Sequence, residues 1–194
     1  MSAPRTGGPI RVVALGFRGF PDVQGGIERH AEELYPILAQ LGCEVEAVVR
    51  APYVEPKAPY TWRGIRLVPL WSPRGTGVEA AVHSLLAMIY AIRRRPDIVH
   101  VHAIGPALWV PLARLFGLNV VVTTQGSDWV REKWGWIARN VLKLGERWGM
   151  RHATRRIAVT RTIAEDMTAR YGCRPAVIPN GVRLSAPVPG TGAL

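Results

Sequence analysis

Short apolar runs alternate with amphipathic stretches along most of the chain. Seven read as strands: IRVVAL (10–15), EVEAVV (44–49), IRLVPL (65–70), DIVHVH (97–102), NVVVTT (119–124), RRIAVT (155–160) and PAVIP (175–179). Runs such as VVVTT place β-branched residues on both faces, as in strands covered by helices on both sides. Between the strands the apolar period becomes helical. Ile27, Ala31, Leu34, Leu38 and Leu41 share one helix face, with Gly42 placed to end the helix and Pro36 expected to kink it. Further helices are predicted over 77–94, 106–116, about 136–153 and 162–171. Strand–helix alternation with short connections predicts an α/β fold: a doubly wound, mostly parallel, Rossmann-like sheet of about seven strands. Right-handed crossovers favour the order 3-2-1-4-5 for the first five. Residues 1–9 read as a flexible N-terminus, 10–183 as one domain, and 184–194, rich in Pro, Gly and small residues, as a linker or tail.

The chain has 194 residues, 48% of them hydrophobic, enough for one domain with a sizeable core. No uninterrupted apolar stretch approaches the ~18 residues of a membrane span. MSAPRTGG lacks the apolar region of a signal peptide, and Cys43 and Cys173, far apart and without metal spacing, read as free thiols of a cytoplasmic protein. The net charge of +11, from 25 Lys and Arg against 14 Asp and Glu, changes the picture more, because it favours an anionic partner. No helix-turn-helix, RRM or zinc pattern accompanies it, so nucleic acid is not the expected partner. The charge gathers between Ser127 and Arg161, where Arg139, Lys143, Arg147, Arg151 and Arg155 recur at every fourth residue and form one stripe of a helix. Ile137, Val141, Leu144 and Trp148 are expected on the opposite, core-facing side. With Trp129, Trp134 and Trp136 nearby, the stripe suits peripheral contact with an anionic membrane; a solvated charged face is the other reading.

The first strand runs into GFRGFPDVQGGIERHAEEL (16–34). Gly16, Gly19, Gly25 and Gly26 do not form G-x-G-x-x-G, and no G-K-[ST] follows them, so neither a dinucleotide fingerprint nor a P-loop is present. In a doubly wound sheet, the loop after the first strand faces the end of DIVHVH across the switch-point crevice. Gly25 and Gly26 would let a ligand reach the free N–H groups of the next helix, unless they serve the backbone alone. Glu28, with Glu32 and Glu33, partly cancels the positive end of that helix, so a diphosphate bound there needs cations from elsewhere. Glu28 is otherwise a first-turn acid supporting its helix. His100 and His102 share a strand face. No third ligand presents itself, so no metal site is expected. Gln125 stands at a strand end, where it could also be a helix-entry residue, and Asp128 is placed to cap a helix beginning at Trp129.

Four stretches in order, GFRGFPDVQGGIERHAEEL, VHVHAIGPALWVPLAR, VVTTQGSDWVREKWG and RIAVTRTIAEDMTARYGCRPAVIPNGV, resemble the N-terminal half of family 4 GT-B glycosyltransferases, over residues 10 to 183. The resemblance implies metal-independent, retaining transfer of a sugar from a nucleotide-sugar donor, with no cofactor. This domain would bind mainly the acceptor, a sugar or lipid-linked sugar. A C-terminal domain, absent from these residues, would hold the nucleotide. It places Gly25 and Gly26 on the loop that approaches the donor phosphates, Glu28 at the polar position after it, and His102 at the cleft. Gln125 stands where many relatives have a histidine; it bonds but does not titrate, which counts against a proton-carrying role. Arg131 and Lys133 could meet an acceptor phosphate. The substrate-binding set is Gly25, Gly26, Glu28, His102, Gln125 and Arg131, with His102 and Gln125 as catalytic candidates. The expected setting is surface polysaccharide or glycolipid synthesis at the inner face of the plasma membrane. The alternative is a truncated, non-catalytic module that binds a membrane or a partner.

Overall fold

The apolar runs and helical patterns become, in chain order, β1 (Arg11–Leu15), α1 (Gly26–Gln40), β2 (Glu44–Arg50), β3 (Tyr60–Trp62), β4 (Ile65–Leu70), α2 (Val78–Arg94), β5 (Ile98–His102), α3 (Val110–Leu115), β6 (Val120–Thr124), α4 (Trp136–His152), β7 (Arg155–Ala158), α5 (Arg161–Tyr171) and β8 (Ala176–Val177). These come from a computed structural model that describes residues 8–73, 78–127, 129 and 135–181. One sheet runs β3-β4-β2-β1-β5-β6-β7-β8. All its pairings are parallel except β3 on β4. Without β3, the order is the one that right-handed crossovers predict. The edge strand β3 was not anticipated, although WRGI carries its signal. Arg63 and Gly64 adopt φ of 44° and 80°, so a two-residue turn with left-handed backbone closes the β3–β4 hairpin.

The faces of the sheet are covered unequally. Val13, Leu15, Val48, Val99, Val101 and Val122 pack with Met88, Val110, Met150 and Met167 from α2, α3, α4 and α5. On the other face Val12, Ala14, Val45, Ala47, Ile65 and Leu67 meet α1 through Ala31 and Tyr35. Phe17 and Phe20, from the loop after β1, complete that layer, their rings 5.4 Å apart and nearly inaccessible. The helix assignment of α1 continues through Pro36, which is buried. At the far end β7 stops at Ala158, short of the predicted boundary, because the Thr160 hydroxyl accepts from the Ile163 amide at 3.2 Å and caps α5.

The expected orientation of α4 is wrong. Ile137 and Val141 are exposed, Leu144 is 38% exposed and Trp148 only half-buried. The inward face is instead Gly145, Glu146, Gly149 and Met150. The physical reason is distance. A Cβ on Gly145 would overlap the carbonyl oxygen of Ile104, and one on Gly149 would stand 2.8 Å from the Cβ of Ala107. Close approach of two backbones selects the glycine face, and the large apolar side chains are left outside. The basic stripe is also shorter than predicted: Lys143, Arg147 and Arg151 are exposed on α4 and Arg139 is half-buried, whereas Arg155 opens β7. Gly145→Ala should therefore lower unfolding free energy by ~2 kcal/mol or more, since backbone must yield, while Leu144→Ser should change it by less than ~1 kcal/mol. Urea titrations of the two variants check this; the reverse ranking would overturn the orientation of α4.

Candidate functional site

The parallel register brings the carboxyl ends of the central strands into line: Leu15 beside Val101, His102 beside Thr123, Thr124 beside Ala158. Gly16, with φ of 110°, lies directly against the backbone of His102, and any side chain there would overlap the His102 carbonyl oxygen. The loop that leaves Gly16 is held at several points. Buried Phe17 and Phe20 anchor it below, and the Arg50 amide donates to the Arg18 carbonyl at 2.7 Å, fixing it to β2. The Arg18 backbone amide and Nε both donate to Glu28 Oε1, at 3.0 and 3.1 Å, and its guanidinium also donates to the Gln24 carbonyl. That cation stands 5.7 Å from the centre of the Tyr53 ring.

Glu28 is thus a buried anchor of the glycine loop, with its second oxygen in the space that a Cβ on Gly25 would need. Gly25 has φ of 151° and no room for a Cβ; Gly26 has open space around it, and both are exposed. Gly25 is the N-cap of α1 and no side chain caps the helix, so the amides of its first turn are left to solvent or a ligand.

Beneath this helix lies a chain of buried polar groups. His100 and His102 point to the α1 side of β5. The Tyr35 hydroxyl sits between them, 3.0 Å from His100 Nδ1 and 2.5 Å from His102 Nε2, and His100 Nε2 lies 2.8 Å from Thr123 Oγ1. A hydroxyl carries one proton, so it donates to one imidazole and accepts from the other. The direction that leaves an acceptor rather than a donor orphaned runs His102 Nε2–H to Tyr35, Tyr35 O–H to His100 Nδ1, and His100 Nε2–H to Thr123. His102 Nδ1 then ends the chain without a partner. The half-buried His30 meets His102 edge-on with ring centres 5.9 Å apart, and Phe17 closes another side at 5.8 Å. Burial lowers the His100 pKa to about 4, and burial with neighbouring His100 and His30 pushes His102 well below its ordinary range. Both rings are neutral at pH 7.

Gln125 follows β6 on the same edge. Its Oε1 accepts from Asn180 Nδ2 at 2.9 Å, and its own Nε2 lies 3.5 Å from Asn180 Oδ1. The amide pair ties the end of β6 to the IPNGV segment. One turn further, fully buried Glu146 accepts from Ser127 Oγ at 2.9 Å and Trp129 Nε1 at 3.2 Å, and from Arg170 and Tyr171 of α5. It pins the loop after β6 to α4 and α5. Neither Glu146 nor Tyr35 announces itself in the sequence: each occupies a helix position that reads as solvent-facing or apolar. Arg131, Asp128 and Lys133 lie outside the described residues, so the predicted Arg131 contact and the Asp128 cap are not described. Gly25, Gly26, Glu28, His102 and Gln125 all belong to the carboxyl edge of the sheet, with His102 beneath it rather than on its surface. No cluster of three metal-ligating side chains occurs among the described residues.

The match that decides the family spans most of the chain: residues 24–186 fit the model of Glycosyltransferase Family 4. The chain belongs to that glycosyltransferase family. Among solved structures, it is similar to sucrose-phosphate synthase from Thermosynechococcus elongatus, at 17% identity and a TM-score of 0.58, covering 89% of each chain. UGT89C1 from Arabidopsis thaliana complexed with quercetin gives 14% identity and a TM-score of 0.60, over 92% of this chain and 52% of that one. The same enzyme complexed with UDP-L-rhamnose gives 14% identity and a TM-score of 0.54, over 83% and 46%. At these identities the likeness concerns the fold, which is the Rossmann-like architecture expected of a GT-B half. The chain spans about half the length of UGT89C1. No curated protein matches it.

The buried imidazoles give this glycosyltransferase-family domain a pH signature. In the unfolded chain His83, His100 and His102 titrate near 6.5; folded, burial lowers His83 and His100 to about 4. The unfolded state therefore binds protons first, so the stability these rings contribute is complete above about pH 6.5 and is lost as pH falls toward 4. Urea midpoints at pH 7.5, 6.0 and 5.0 should fall in that order with a constant slope. A midpoint unchanged between pH 7.5 and 5.0 would mean the rings are not buried in neutral form.

Proposed function

We propose that this chain is the acceptor-side domain of a retaining glycosyltransferase that uses a nucleotide-sugar donor, in the synthesis of a surface polysaccharide or glycolipid. One observation carries the reading. An uncapped helix N-terminus with two exposed glycines opens at the carboxyl edge of the sheet, in a chain matching glycosyltransferase family 4 over residues 24–186. The first-turn amides of α1 would approach the donor diphosphate across a cleft. Arg18 and Glu28 neutralise one another, so this loop offers orientation more than charge. The remaining positive charge would come from a second α/β lobe, in keeping with a chain that spans about half of UGT89C1. We take the isolated domain to be catalytically incomplete.

In such a transfer the acceptor hydroxyl attacks the anomeric carbon on the face from which the diphosphate departs. The bond from that carbon to the phosphate oxygen breaks, the new glycosidic bond forms, and the hydroxyl proton passes to the departing phosphate. The step so written requires no protein base, cofactor or metal. His102 then acts as a positioning residue, holding α1 through Tyr35, and Gln125 as a hydrogen-bonding side chain of the cleft. Glu28 keeps the glycine loop in place for the donor. Arg131 remains the proposed contact for an acceptor phosphate. Because first-turn amides alone would bind the diphosphate weakly, calorimetric titration of this chain with UDP-, GDP- and dTDP-sugars should give Kd values no tighter than ~1 mM. A micromolar Kd would remove the need for a second lobe.

The exposed side of α4 supports a contact with an anionic membrane surface at the cytoplasmic face, where a lipid-linked acceptor would lie. Trp136 (75% exposed), Ile137, Val141 and Leu144 form an apolar ridge beside Lys143, Arg147 and Arg151, and the helix's one acid, Glu146, is buried. Apolar residues bordered by cations are the pattern of a helix lying in a lipid interface. No helix among the described residues is long and apolar enough to cross a membrane. The module that binds without catalysis rests on the same surface. Sedimentation with phosphatidylglycerol-containing vesicles should weaken as salt rises and in Lys143→Glu/Arg147→Glu, by ~1 kcal/mol per charge removed. Equal binding to phosphatidylcholine vesicles would rule out the electrostatic part.

A further inference from the structure

Two turns past the carboxyl ends of β2 and β4 enclose a concavity of about 550 Å³ that no part of the reading above uses. It is lined by Ala51, Pro52, Lys57, Trp71, Ser72 and Pro73. Strands β2 and β4 run parallel to β1, so this bowl opens on the same edge of the sheet as the glycine loop. The two are physically joined: the Arg50 amide bonds to the Arg18 carbonyl, and the Arg18 guanidinium faces the Tyr53 ring.

The lining defines a ligand chemistry. Trp71 is 65% exposed, a large indole turned mostly to solvent. Beside it stand the ring carbons of two prolines. The one cation in the lining is already committed: Lys57 Nζ donates to the Ala51 carbonyl at 2.7 Å and the Val54 carbonyl at 2.8 Å, and pairs with Glu55 at 2.7 Å. An ammonium has three protons, and these acceptors take all three. Lys57 therefore stiffens the 51–57 wall and offers nothing to a phosphate. Ser72 lies at the floor, 3% exposed, and its Oγ has no hydrogen-bond partner. Among the described residues, the lining is a concave, mostly apolar site with an aromatic platform, one unused hydroxyl and no uncommitted charge, which suits a neutral molecule with one aliphatic face and a polar rim. A pyranose ring has that form. A nucleotide fits it less well, because among the described lining residues its diphosphate would find no uncommitted cation.

We infer that this bowl is a saccharide subsite, in which a pyranose of the acceptor stacks on Trp71 with a hydroxyl turned toward Ser72. The inference rests on the acceptor-side reading for its role, but the binding itself can be measured without any transfer. The probes are methyl glycosides of glucose, galactose, mannose, N-acetylglucosamine and rhamnose, pooled at millimolar concentration with the 194-residue chain in saturation-transfer difference NMR. At least one should receive saturation from the protein. Trp71→Ala, an exposed site whose truncation leaves the core intact, should weaken that binding about tenfold or more. Trp136→Ala, which removes another exposed indole on α4, should leave it unchanged, and matching urea midpoints would show that both variants fold. No saturation of any glycoside, or saturation that survives Trp71→Ala, overturns the subsite. Saccharide binding lost in Trp71→Ala, from a domain that transfers no sugar even when assayed together with a donor-binding lobe, would uphold the subsite and overturn the glycosyltransferase reading alone.

Discussion

A single phenolic hydroxyl buried between two imidazoles fixes the geometry on which the carboxyl edge of this domain depends. Tyr35 belongs to α1, and His100 and His102 to β5, so their hydrogen bonds set where α1 lies over the switch point. An unmade hydrogen bond in that interior would cost about 1–3 kcal/mol per orphaned group. The one proton of the hydroxyl makes the chain through Thr123, His100 and His102 directional, and an unpartnered His102 Nδ1 favours the sense that leaves an acceptor there. Sliding α1 along the sheet would break two contacts at once and leave neutral rings facing apolar neighbours. The glycine loop inherits its position from this arrangement, because it connects the end of β1 to the start of that helix.

The loop is then trimmed by contacts that leave no room for ordinary side chains. Gly16 is required by the His102 carbonyl, and Gly25 by the carboxylate of Glu28. Gly26 is different: nothing lies near its missing Cβ. The four glycines of the opening motif therefore do not share one reason. Three are explained by packing, since a Cβ on Gly19 would stand 2.6 Å from Val54 Cγ1, and the openness above Gly26 leaves the helix end exposed. Electrostatics add a limit. Glu28 accepts from Arg18 twice and compensates it, so the helix terminus retains directional N–H groups without a large net charge. Under the proposed function, orientation and charge neutralisation would be separate tasks, and this loop would meet only the first.

Strand order was legible from the sequence because strand identity and crossover hand leave few options, and the central β-branched runs are unambiguous. The β3 hairpin was less so: three residues give too short a pattern, and only the Arg63–Gly64 turn betrays it. The orientation of α4 was misread for a more general reason. Hydrophobic periodicity assumes that the larger apolar side chains face the core, whereas α4 approaches Ile104 and Ala107 so closely that only Gly145 and Gly149 fit. The same glycine spacing was visible in the sequence and carried the true signal. For the site, Gly25, Gly26, Glu28, His102 and Gln125 could be placed on one edge because strand ends and helix starts are topological facts. What those side chains touch was not legible. Arg18, Asn180 and Tyr35 reach Glu28, Gln125 and His102 from 10, 55 and 67 positions away, and no local pattern encodes such pairings.

The partners also sort the edge into firm and yielding parts. Glu146 is inaccessible and is bonded by a serine, an indole, a guanidinium and a phenol, so withdrawing it would strand a carboxylate in the interior at a cost of several kcal/mol. The loop after β6 is fixed at that point. Gln125 and Asn180 are neutral, only partly buried, and share one good bond at 2.9 Å and one at the 3.5 Å limit. A pair of that kind contributes about 1 kcal/mol, and water or a ligand hydroxyl can replace either partner with little loss. Of the residues on this edge, Gln125 is therefore the one whose amide can exchange its present partner without disturbing the fold. His102 cannot do so, because its only bonded nitrogen holds α1 in place.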